Sequence, residues 1–339
     1  MSKFTVQFWG VRGSLPAPKT PQMIREITRD LLNEFASNVD RFSGTSEAKI
    51  DAFLRELPPW KHGGFGGDTS CVEVLAGETR MVIDAGSGLR RLGQEMMRGP
   101  CGKGQGEVHL FFTHFHWDHI IGLPFFTPIF IPGNRIHFYA VQPELEACVR
   151  QTFQKPFFPV PFESLPSSIE FHKILPRVKM KLGHLELTPY ELDHPDPCWG
   201  YRVEAETTAG RKSYAHCVDN EATRISPLDL GRDNELYHKA DLCFFDAQYT
   251  LSEFFSHMNW GHSAAPIGLE IALREGVKQI YFAHHDPAAS DRKLADAERQ
   301  TRDFLDGYRA KAKEAGRHLG EVEWHFARDG DFVELGELS

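Results

Sequence analysis

Three histidines and one aspartate lie close together between His114 and His119. They follow the apolar run Val108–Phe112, which is typical of a buried strand. His114 and His116 lie on one side of an extended chain, whereas Asp118 and His119 enter the short helix that follows. A protein core would have to satisfy all four polar groups, but a transition metal binds neutral imidazole and carboxylate directly. The two pairs therefore predict a site for two metal ions.

This spacing, His-x-His-x-Asp-His, resembles the signature of the metallo-β-lactamase-fold hydrolases. Further landmarks occur in the order of that family: Asp84 in an Asp-Ala-Gly-Ser-Gly turn, His194, Asp219 and His284. The resemblance implies an α/β (α+β) fold, the αββα sandwich, in which helices cover two mixed β-sheets. It also implies the ligands: His114, His116 and His194 for one metal ion, Asp118, His119 and His284 for the other, and Asp219 as the bridge.

The cofactors implied by the resemblance are two divalent transition metals. Zinc is expected, although manganese or iron would accept the same nitrogen and oxygen ligands. The last ligand has two candidates, because His285 directly follows His284. In the family the ligand comes immediately after the apolar run of its strand, which favours His284. His285 would then point elsewhere, toward a supporting or substrate contact.

Two features narrow the substrate class. Asp219 stands where the main zinc β-lactamases carry cysteine, so antibiotic hydrolysis is not expected. The segments 246–249 and 259–263 resemble the phosphodiesterase branch, which includes tRNase Z and cyclic-nucleotide phosphodiesterases. There a Gly-His-Ser turn opens a helix, and its histidine faces the scissile phosphate. By this resemblance His262 is catalytic, as is Asp118, and Ser263 is expected to cap the helix. One departure is that tRNase Z carries His-Glu where this chain has Gln248 and Tyr249.

The leading hypothesis is a dinuclear metal-dependent phosphodiesterase whose partner is a small diester of the cyclic-nucleotide type. A metal-activated hydroxide would attack phosphorus, and His262 would protonate the leaving oxygen. The first alternative is endonucleolytic tRNA 3′ processing, which needs a basic protruding arm that the sequence does not provide. A lactonase or thioesterase shares the ligand set without needing the Gly-His-Ser turn. A non-catalytic nucleotide-binding protein would not need the complete ligand set.

Strand-like segments outnumber helical ones, and many follow one another directly as in hairpins, which favours sheets covered by helices. Phe4–Trp9 is one such strand, and helical periodicity is clearest in 264–274 and 292–312. We interpret residues 1–339 as one domain with a helical insertion at about 18–62, in which basic and acidic residues are equally numerous. The insertion is expected to decorate the core; a mobile lid or a dimer contact is the alternative.

The composition is that of a soluble globular protein: 339 residues, 41% hydrophobic, with 38 basic and 47 acidic residues and a formal charge of −9. No apolar run is long enough for a membrane span, and no secretory signal is recognised. The negative charge argues against binding of polymeric nucleic acid. Six scattered cysteines predict free thiols, and with them a cytoplasmic location.

Several other residues have two interpretations each. The phenylalanines between Phe125 and Phe158 are expected to form an apolar wall or a homodimer contact, with stacking on a nucleobase as the alternative. Arg12 is expected on the surface, with a contact to an anionic substrate as the alternative. The histidines outside the motif, such as His109, His172 and His216, are expected to be ordinary surface or core residues.

Overall fold

The computed structural model describes residues 2–224 and 226–339, which form two seven-stranded β-sheets. The first sheet contains β1 (Lys3–Gly10), β2 (Cys71–Ala76), β3 (Thr79–Ile83), β4 (Glu107–Phe111), β5 (Arg135–Ala140), β6 (Ser168–Lys173) and β14 (Phe332–Glu337). The second contains β7 (Met180–Leu182), β8 (Leu185–Glu191), β9 (Trp199–Thr207), β10 (Gly210–Cys217), β11 (Leu242–Asp246), β12 (Gln279–Ala283) and β13 (Glu323–Phe326).

Helices connect and cover the sheets. They are α1 (Pro21–Asn38), α2 (Ser46–Glu56), α3 (Pro59–His62), α4 (Gly88–Met96), α5 (Trp117–Ile120), α6 (Leu145–Thr152), α7 (Pro227–Leu230), α8 (Leu251–Phe254), α9 (Ala265–Glu275) and α10 (Asp291–Glu314). None of the helices in the described ranges is both long and apolar enough to cross a membrane.

The two sheets have the same plan. The first has the strand order β14-β1-β2-β3-β4-β5-β6, and the second has β13-β12-β11-β10-β9-β8-β7. Strands β3 to β6 pair in parallel, as do β10 to β13, whereas the remaining neighbours are antiparallel. Parallel neighbours need crossover connections, which the helices supply, and antiparallel neighbours need only tight turns. The prediction of two mixed sheets covered by helices is confirmed.

Three apolar layers hold the sandwich together. The inner faces of both sheets form the central core, where Phe8, Phe111 and Tyr201 are among the buried side chains. Helices α4 and α6 cover the outer face of the first sheet, and α9 and α10 cover that of the second. The long helix α10 buries only Leu294, Thr301, Leu305 and Ala312, whose spacing places them along one stripe.

The insertion folds mainly on itself. Helix α1 has no buried residue, and Phe42, Phe53 and Leu57 form a small separate core with partly buried side chains of α1. Trp60, on α3, packs against the core of the second sheet and so links the insertion to the sandwich. The lid and dimer alternatives remain predictions.

The strands near the end of the chain are not predicted by the sequence analysis. β13 extends the second sheet beside β12, and β14 completes the first sheet beside β1. Both are short, and β14 is only partly buried, so neither shows a clear apolar pattern. The six cysteines are free, and all but Cys148 are buried, as expected for small apolar side chains.

Candidate metal centre

The site lies where the carboxyl ends of parallel strands from both sheets meet. Residues at or just after the ends of β3, β4, β10, β11 and β12 contact one another there. The predicted ligands therefore come from loops and the short helix α5, in segments distant in sequence that are brought together only by the packing of the two sheets.

The seven predicted ligands converge in this region. His114, His116, His194 and Asp219 offer ligand atoms within 4.8 Å of one another, and Asp118, His119 and His284 form a second such group. We call these seven residues the central cluster.

Asp219 lies between the two groups. Its Oδ1 is 3.8 Å from His114 Nε2 and 3.9 Å from His194 Nε2. Its Oδ2 is 2.8 Å from His119 Nε2 and 3.1 Å from His284 Nε2. One oxygen therefore faces each group, which is the position that a bridging carboxylate requires. The metal-binding role of the seven residues stays a prediction.

Buried Asp84 supports the loop that follows β4. Its Oδ1 accepts hydrogen bonds from the backbone N–H and the hydroxyl of Thr113, at 2.9 and 3.0 Å. Its Oδ2 accepts one from His119 Nδ1 at 2.7 Å. Thr113 Oγ1 in turn lies 3.1 Å from His114 Nδ1. Both rings are thus held through Nδ1, which leaves Nε2 of each facing the centre.

Asp196 orients the other two histidines of the first group. Its backbone carbonyl lies 2.9 Å from His194 Nδ1, which leaves Nε2 of that ring directed toward Asp219. Its carboxylate lies 2.8 Å from His116 Nε2, which leaves Nδ1 of His116 as the free ring nitrogen. The sequence analysis did not single out Asp196, because its role depends on a contact across the site.

His284 and His285 have different surroundings. His284 Nε2 lies 3.1 Å from Asp118 Oδ2, and its Nδ1 lies 3.0 Å from Gln248 Oε1. His285 is also buried, but its Nε2 contacts the backbone carbonyl of Ala327 at 2.9 Å and its ring stacks on Phe326. Burial lowers the pKa of His285 to about 3. Of the two, the geometry brings only His284 into the central cluster.

The central cluster fits a pair of divalent cations. His114 Nε2, His119 Nε2 and Asp219 Oδ2 are buried without a hydrogen-bond partner among the described residues, although buried polar atoms normally have one. Burial disfavours a charged His119, yet Asp219, Asp118 and Asp84 together raise its pKa well above the usual value. Unpartnered donor atoms and converging carboxylates are the arrangement that metal ions would satisfy.

Three site residues have a left-handed backbone. Asp84, Asp219 and His284 have φ angles of 62°, 57° and 60°. This conformation is unfavourable for residues other than glycine, at an order of 1–3 kcal/mol each, and it occurs preferentially at functional sites. In each case it turns the chain sharply at a strand end, so that the side chain points into the centre.

Asp246 is a further buried carboxylate beside the site to which the sequence analysis assigned no role. It is fully buried, and its Oδ2 lies 3.0 Å from His262 Nδ1 and accepts the backbone N–H of Asp219. Its Oδ1 accepts the N–H of Ser263 at 2.9 Å. Asp246 thus connects the predicted bridge to the predicted acid. Its position at the end of an apolar strand, like that of Asp84, was the available signal.

His262 lies beside the central cluster without belonging to the predicted ligands. Its ring stacks on that of His284 with centroids 4.9 Å apart, and its side chain is 12% exposed. Burial disfavours the imidazolium, but Asp246, Asp219 and Asp118 outweigh this effect and raise the pKa of His262 to about 9. The expected cap of α9 is wrong: the N-cap residue is Ala264, and the hydroxyl of Ser263 has no hydrogen-bond partner within residues 2–224 and 226–339.

The loop after β1 packs directly against the centre. The backbone N–H of Ser14 donates to Asp118 Oδ2 at 2.8 Å. A Cβ at Gly13 would lie 2.4 Å from His284 Nδ1, so only glycine permits this approach. Arg12 is 4% exposed and donates to the carbonyls of Gly66, Asp286 and Ala289. Both interpretations of Arg12 are therefore wrong: it lies neither on the surface nor free to meet a substrate, but joins loops.

Two exposed tryptophans are close in sequence to residues of the site. Trp117 is 58% exposed and lies between His116 and Asp118 in sequence, and Trp260 is 61% exposed and lies two residues before His262. The phenylalanines downstream divide into two sets. Phe126 and Phe153 are buried and form the expected apolar wall, whereas Phe125 and Phe157 are exposed.

The family model described as "Beta-lactamase superfamily domain" matches residues 79–285, which include the whole central cluster. Ribonuclease Z of Staphylococcus carnosus is 25% identical over 200 residues, which are 56% of this chain and 54% of that protein. The matched region therefore spans about half the length of this relative.

Two solved structures share the fold along nearly the entire chain. The metallo-beta-lactamase fold protein YhfI from Bacillus subtilis has a TM-score of 0.61 at 14% identity, covering 98% of this chain and 100% of its own. Unliganded yeast PDE1 has a TM-score of 0.59 at 14% identity, covering 99% and 100%. At this identity the likeness establishes the fold, and the αββα sandwich implied by the sequence is confirmed.

Proposed function

This chain belongs to the β-lactamase superfamily, and we propose that it acts there as a metal-dependent hydrolase of a small phosphodiester of the cyclic-nucleotide type. The name of its relative, Ribonuclease Z, supports phosphodiester chemistry, because ribonucleases cleave phosphodiester bonds. The fold alone does not decide the substrate, since one fold supports many reactions. The choice of substrate class therefore rests on the residues of the site.

Two metal ions fit the central cluster. His114, His116 and His194 would hold one, Asp118, His119 and His284 would hold the other, and Asp219 would contact both. When bound, such ions lower the pKa of a water molecule and offset the negative charge of a phosphate. Imidazole and carboxylate ligands suit zinc, with manganese and iron as alternatives.

The observation that carries the proposal is the pair formed by Asp246 and His262 beside this cluster. An alkoxide leaves phosphorus readily only when it receives a proton, so a diesterase needs an acid on the leaving side. Asp246 accepts the hydrogen of His262 Nδ1 and holds the ring, which leaves Nε2 to deliver a proton. The ring is nearly buried, so bulk water has little access to that position.

Asp118 is the second residue to which we assign a catalytic role. Its Oδ2 lies within 3.2 Å of both His119 Nε2 and His284 Nε2, and the N–H of Ser14 fixes the same oxygen. Asp118 thus keeps a negative charge next to the two rings of its group, on the side of the centre away from Asp84. This placement suits a carboxylate that orients the attacking water.

A second candidate function is tRNA 3′ processing, which the name of the relative favours. Electrostatic attraction by basic side chains dominates the affinity for RNA. The insertion carries equal numbers of acidic and basic residues, and the net charge of the chain is −9. Where tRNase Z carries His-Glu, this chain has Gln248, which contacts His284, and Tyr249, which stacks on His257. These features favour the small diester.

The experiment is a substrate panel on the protein reconstituted separately with zinc and with manganese. It includes 3′,5′- and 2′,3′-cyclic nucleotides, bis-p-nitrophenyl phosphate, a precursor tRNA with a 3′ trailer, a lactone, a thioester and nitrocefin. We expect turnover of the diesters only, with cyclic nucleotides preferred to precursor tRNA. Preferred cleavage of the tRNA would support the second candidate. Turnover of the lactone or thioester without any diester would refute both.

A further inference from the structure

A second group of histidines lies on the inner face of the first sheet, away from the central cluster. His137 on β5 pairs in register with Glu170 on β6, and His172 follows two residues after Glu170, opposite Tyr139. Side chains two residues apart on a strand lie on the same face, so the three converge. We call His137, Glu170 and His172 the strand cluster.

The spacing of its ligand atoms fits a metal ion. His137 Nδ1 lies 3.1 Å from His172 Nε2, and Glu170 Oε2 lies 3.6 Å from each of these nitrogens. Ligands of tetrahedral zinc at about 2.0–2.1 Å from the ion are separated from one another by roughly 3.3–3.4 Å. The three atoms thus form a triangle close to one face of such a tetrahedron, with the fourth position open to water.

Neighbouring rings fix the orientation of both histidines. His137 stacks on His109 with centroids 4.8 Å apart, and His172 stacks on Tyr139 at 4.5 Å. His137 is buried, and its other nitrogen, Nε2, lies 3.2 Å from Glu107 Oε1. The usual support for a metal-ligating histidine is a hydrogen bond from its second nitrogen to a carboxylate. Glu107 lies at that distance, but the hydrogen-bond direction is not met.

Without a cation the three ligand atoms of the strand cluster have only one another as polar partners in the described part of the chain. His137 Nε2, which is not one of them, is buried and lies 3.2 Å from Glu107 Oε1 without a hydrogen bond among the described residues. Glu107 already pairs with Arg135 at 2.6 Å. Glu170 has only the two histidines as ion-pair partners in the described part of the chain. The two rings share one hydrogen bond, and the half-exposed Glu170 carboxylate has water besides the histidines around it. A cation held by the three atoms would supply the opposite charge that neutral rings do not.

We propose that His137 Nδ1, His172 Nε2 and Glu170 Oε2 bind one divalent transition-metal ion, with zinc the best suited. β6 is the edge strand of the first sheet, and the ion fastens it to β5. The strand cluster is separate from the central cluster. Its member His137 stacks on His109, and His109 precedes His114 by five residues of mostly extended chain, which span roughly 15 Å. The role of this site is structural, and it is independent of the proposed function.

The test compares zinc binding to the full chain and its variants after removal of all metal. Bound zinc is counted by competition with a chromophoric chelator. His172→Ala and Glu170→Gln both change partly exposed side chains, so the fold should persist. We expect each to bind one zinc equivalent fewer than the wild type while hydrolysing a diester at the same rate. The control Glu144→Gln, which removes an exposed carboxylate outside the cluster, should match the wild type.

Anomalous scattering at the zinc edge from crystals of the zinc-loaded protein locates the ion independently. We expect a peak beside the three ligand atoms in the wild type and none there in His172→Ala. Equal zinc content in the wild type and both variants, together with no peak at this position, would overturn the proposal. The readout is a difference of one zinc equivalent between the wild type and variants that leave the central cluster unchanged. A failure of this proposal is therefore distinguishable from an error in the assignment of the central cluster.

Discussion

The two histidine clusters are built in different ways. Five residues of the central cluster stand on loops, and Asp118 and His119 stand on the short helix α5. Two of the loop residues, Asp219 and His284, have left-handed backbones. The residues of the strand cluster stand within β5 and β6, where ordinary pairing sets their positions. Convergence of side chains from several distant segments requires sharp turns and supporting hydrogen bonds. A site built on two neighbouring strands requires only the correct register.

The supporting residues differ accordingly. Asp84, Gln248 and Asp246 hold the histidine rings around the central cluster, and Gly13 lets the backbone of the loop after β1 lie close to His284. The strand cluster has stacked aromatic rings and one nearby carboxylate instead. Substitutions should therefore have large effects on chemistry at the first cluster and small effects on stability at the second.

The largest expected effect is that of Asp219→Ala. Because one oxygen of Asp219 faces each group, its removal should release or weaken both metal ions and abolish detectable hydrolysis. Elemental analysis of protein purified without chelator should show that Asp219→Ala has up to two transition-metal ions per chain fewer than the wild type, beyond any ion held at the strand cluster. Asp303→Ala, on the exposed side of α10, is the control. Unchanged metal content in Asp219→Ala would exclude the bridging role.

The next comparison separates the adjacent histidines. His284→Ala should lose the second metal ion and most activity, because its Nε2 lies among the carboxylates of Asp118 and Asp219. His285→Ala should keep both ions but lower the free energy of unfolding by about 1–3 kcal/mol, since it removes a buried hydrogen bond and a stacked ring. Metal analysis and urea unfolding distinguish the two. Metal loss in His285→Ala alone would reverse the assignment.

His262→Ala should retain both metal ions yet lower kcat by roughly 10²–10⁴-fold on a diester with an alkoxide leaving group. On bis-p-nitrophenyl phosphate the loss should be much smaller, because p-nitrophenolate leaves without a proton. His238→Ala, which removes an exposed histidine, serves as the control. Equal losses on both substrates would mean that His262 positions the phosphate, and loss of metal would make it a ligand.

Gln248→Ala tests the support of the central cluster. Its Oε1 fixes Nδ1 of His284, so its loss should weaken the second metal ion by roughly 10–100-fold while the first is unaffected. Competition with a chelator measures the two affinities, and exposed Gln300→Ala is the control. Gln248→Glu keeps an acceptor oxygen and should restore much of the affinity. No change in Gln248→Ala would remove it as a positioning residue.

The smallest effect is expected at the strand cluster. Zinc at 100 times its dissociation constant should stabilise the wild type by about 2.7 kcal/mol through this site. Glu170→Gln should lack that increment while its Tm without metal stays close to that of the metal-free wild type, since the side chain is 54% exposed. To isolate the effect, thermal unfolding is measured on Asp219→Ala, in which the central cluster is disabled, with and without Glu170→Gln. An equal zinc-dependent rise in Tm in these two proteins would contradict the prediction.

Much of the central cluster could be predicted because its strongest signal is local. His114, His116, Asp118 and His119 lie within six consecutive residues, and their spacing alone predicts metal chemistry. The more distant members, His194, Asp219 and His284, could be named through the resemblance to the metallo-β-lactamase family, whose landmarks occur in the same order. Strand and helix content was predicted from periodicity within short segments.

Contacts between distant segments could not be predicted in this way. Arg12 carries no local sign that it lies buried among three carbonyl groups, and His285 carries none that it faces Phe326 rather than the centre. β14 pairs with β1 from the opposite end of the chain, and its own pattern is too weak to indicate a strand. Each of these outcomes depends on which surfaces meet when the sheets pack.

The sequence by itself determined the chemical types at the centre, because residue spacing is a property of short stretches of chain, and its resemblance to a known family implied the two sheets. Only the tertiary structure decided that Asp246 joins Asp219 to His262, and that His137 meets Glu170 and His172 across a strand pair. For the strand pair the physical reason is register: a shift of one residue between β5 and β6 would turn Glu170 and His172 to the opposite face. Register is fixed by the packing of the whole sandwich and not by the residues that meet.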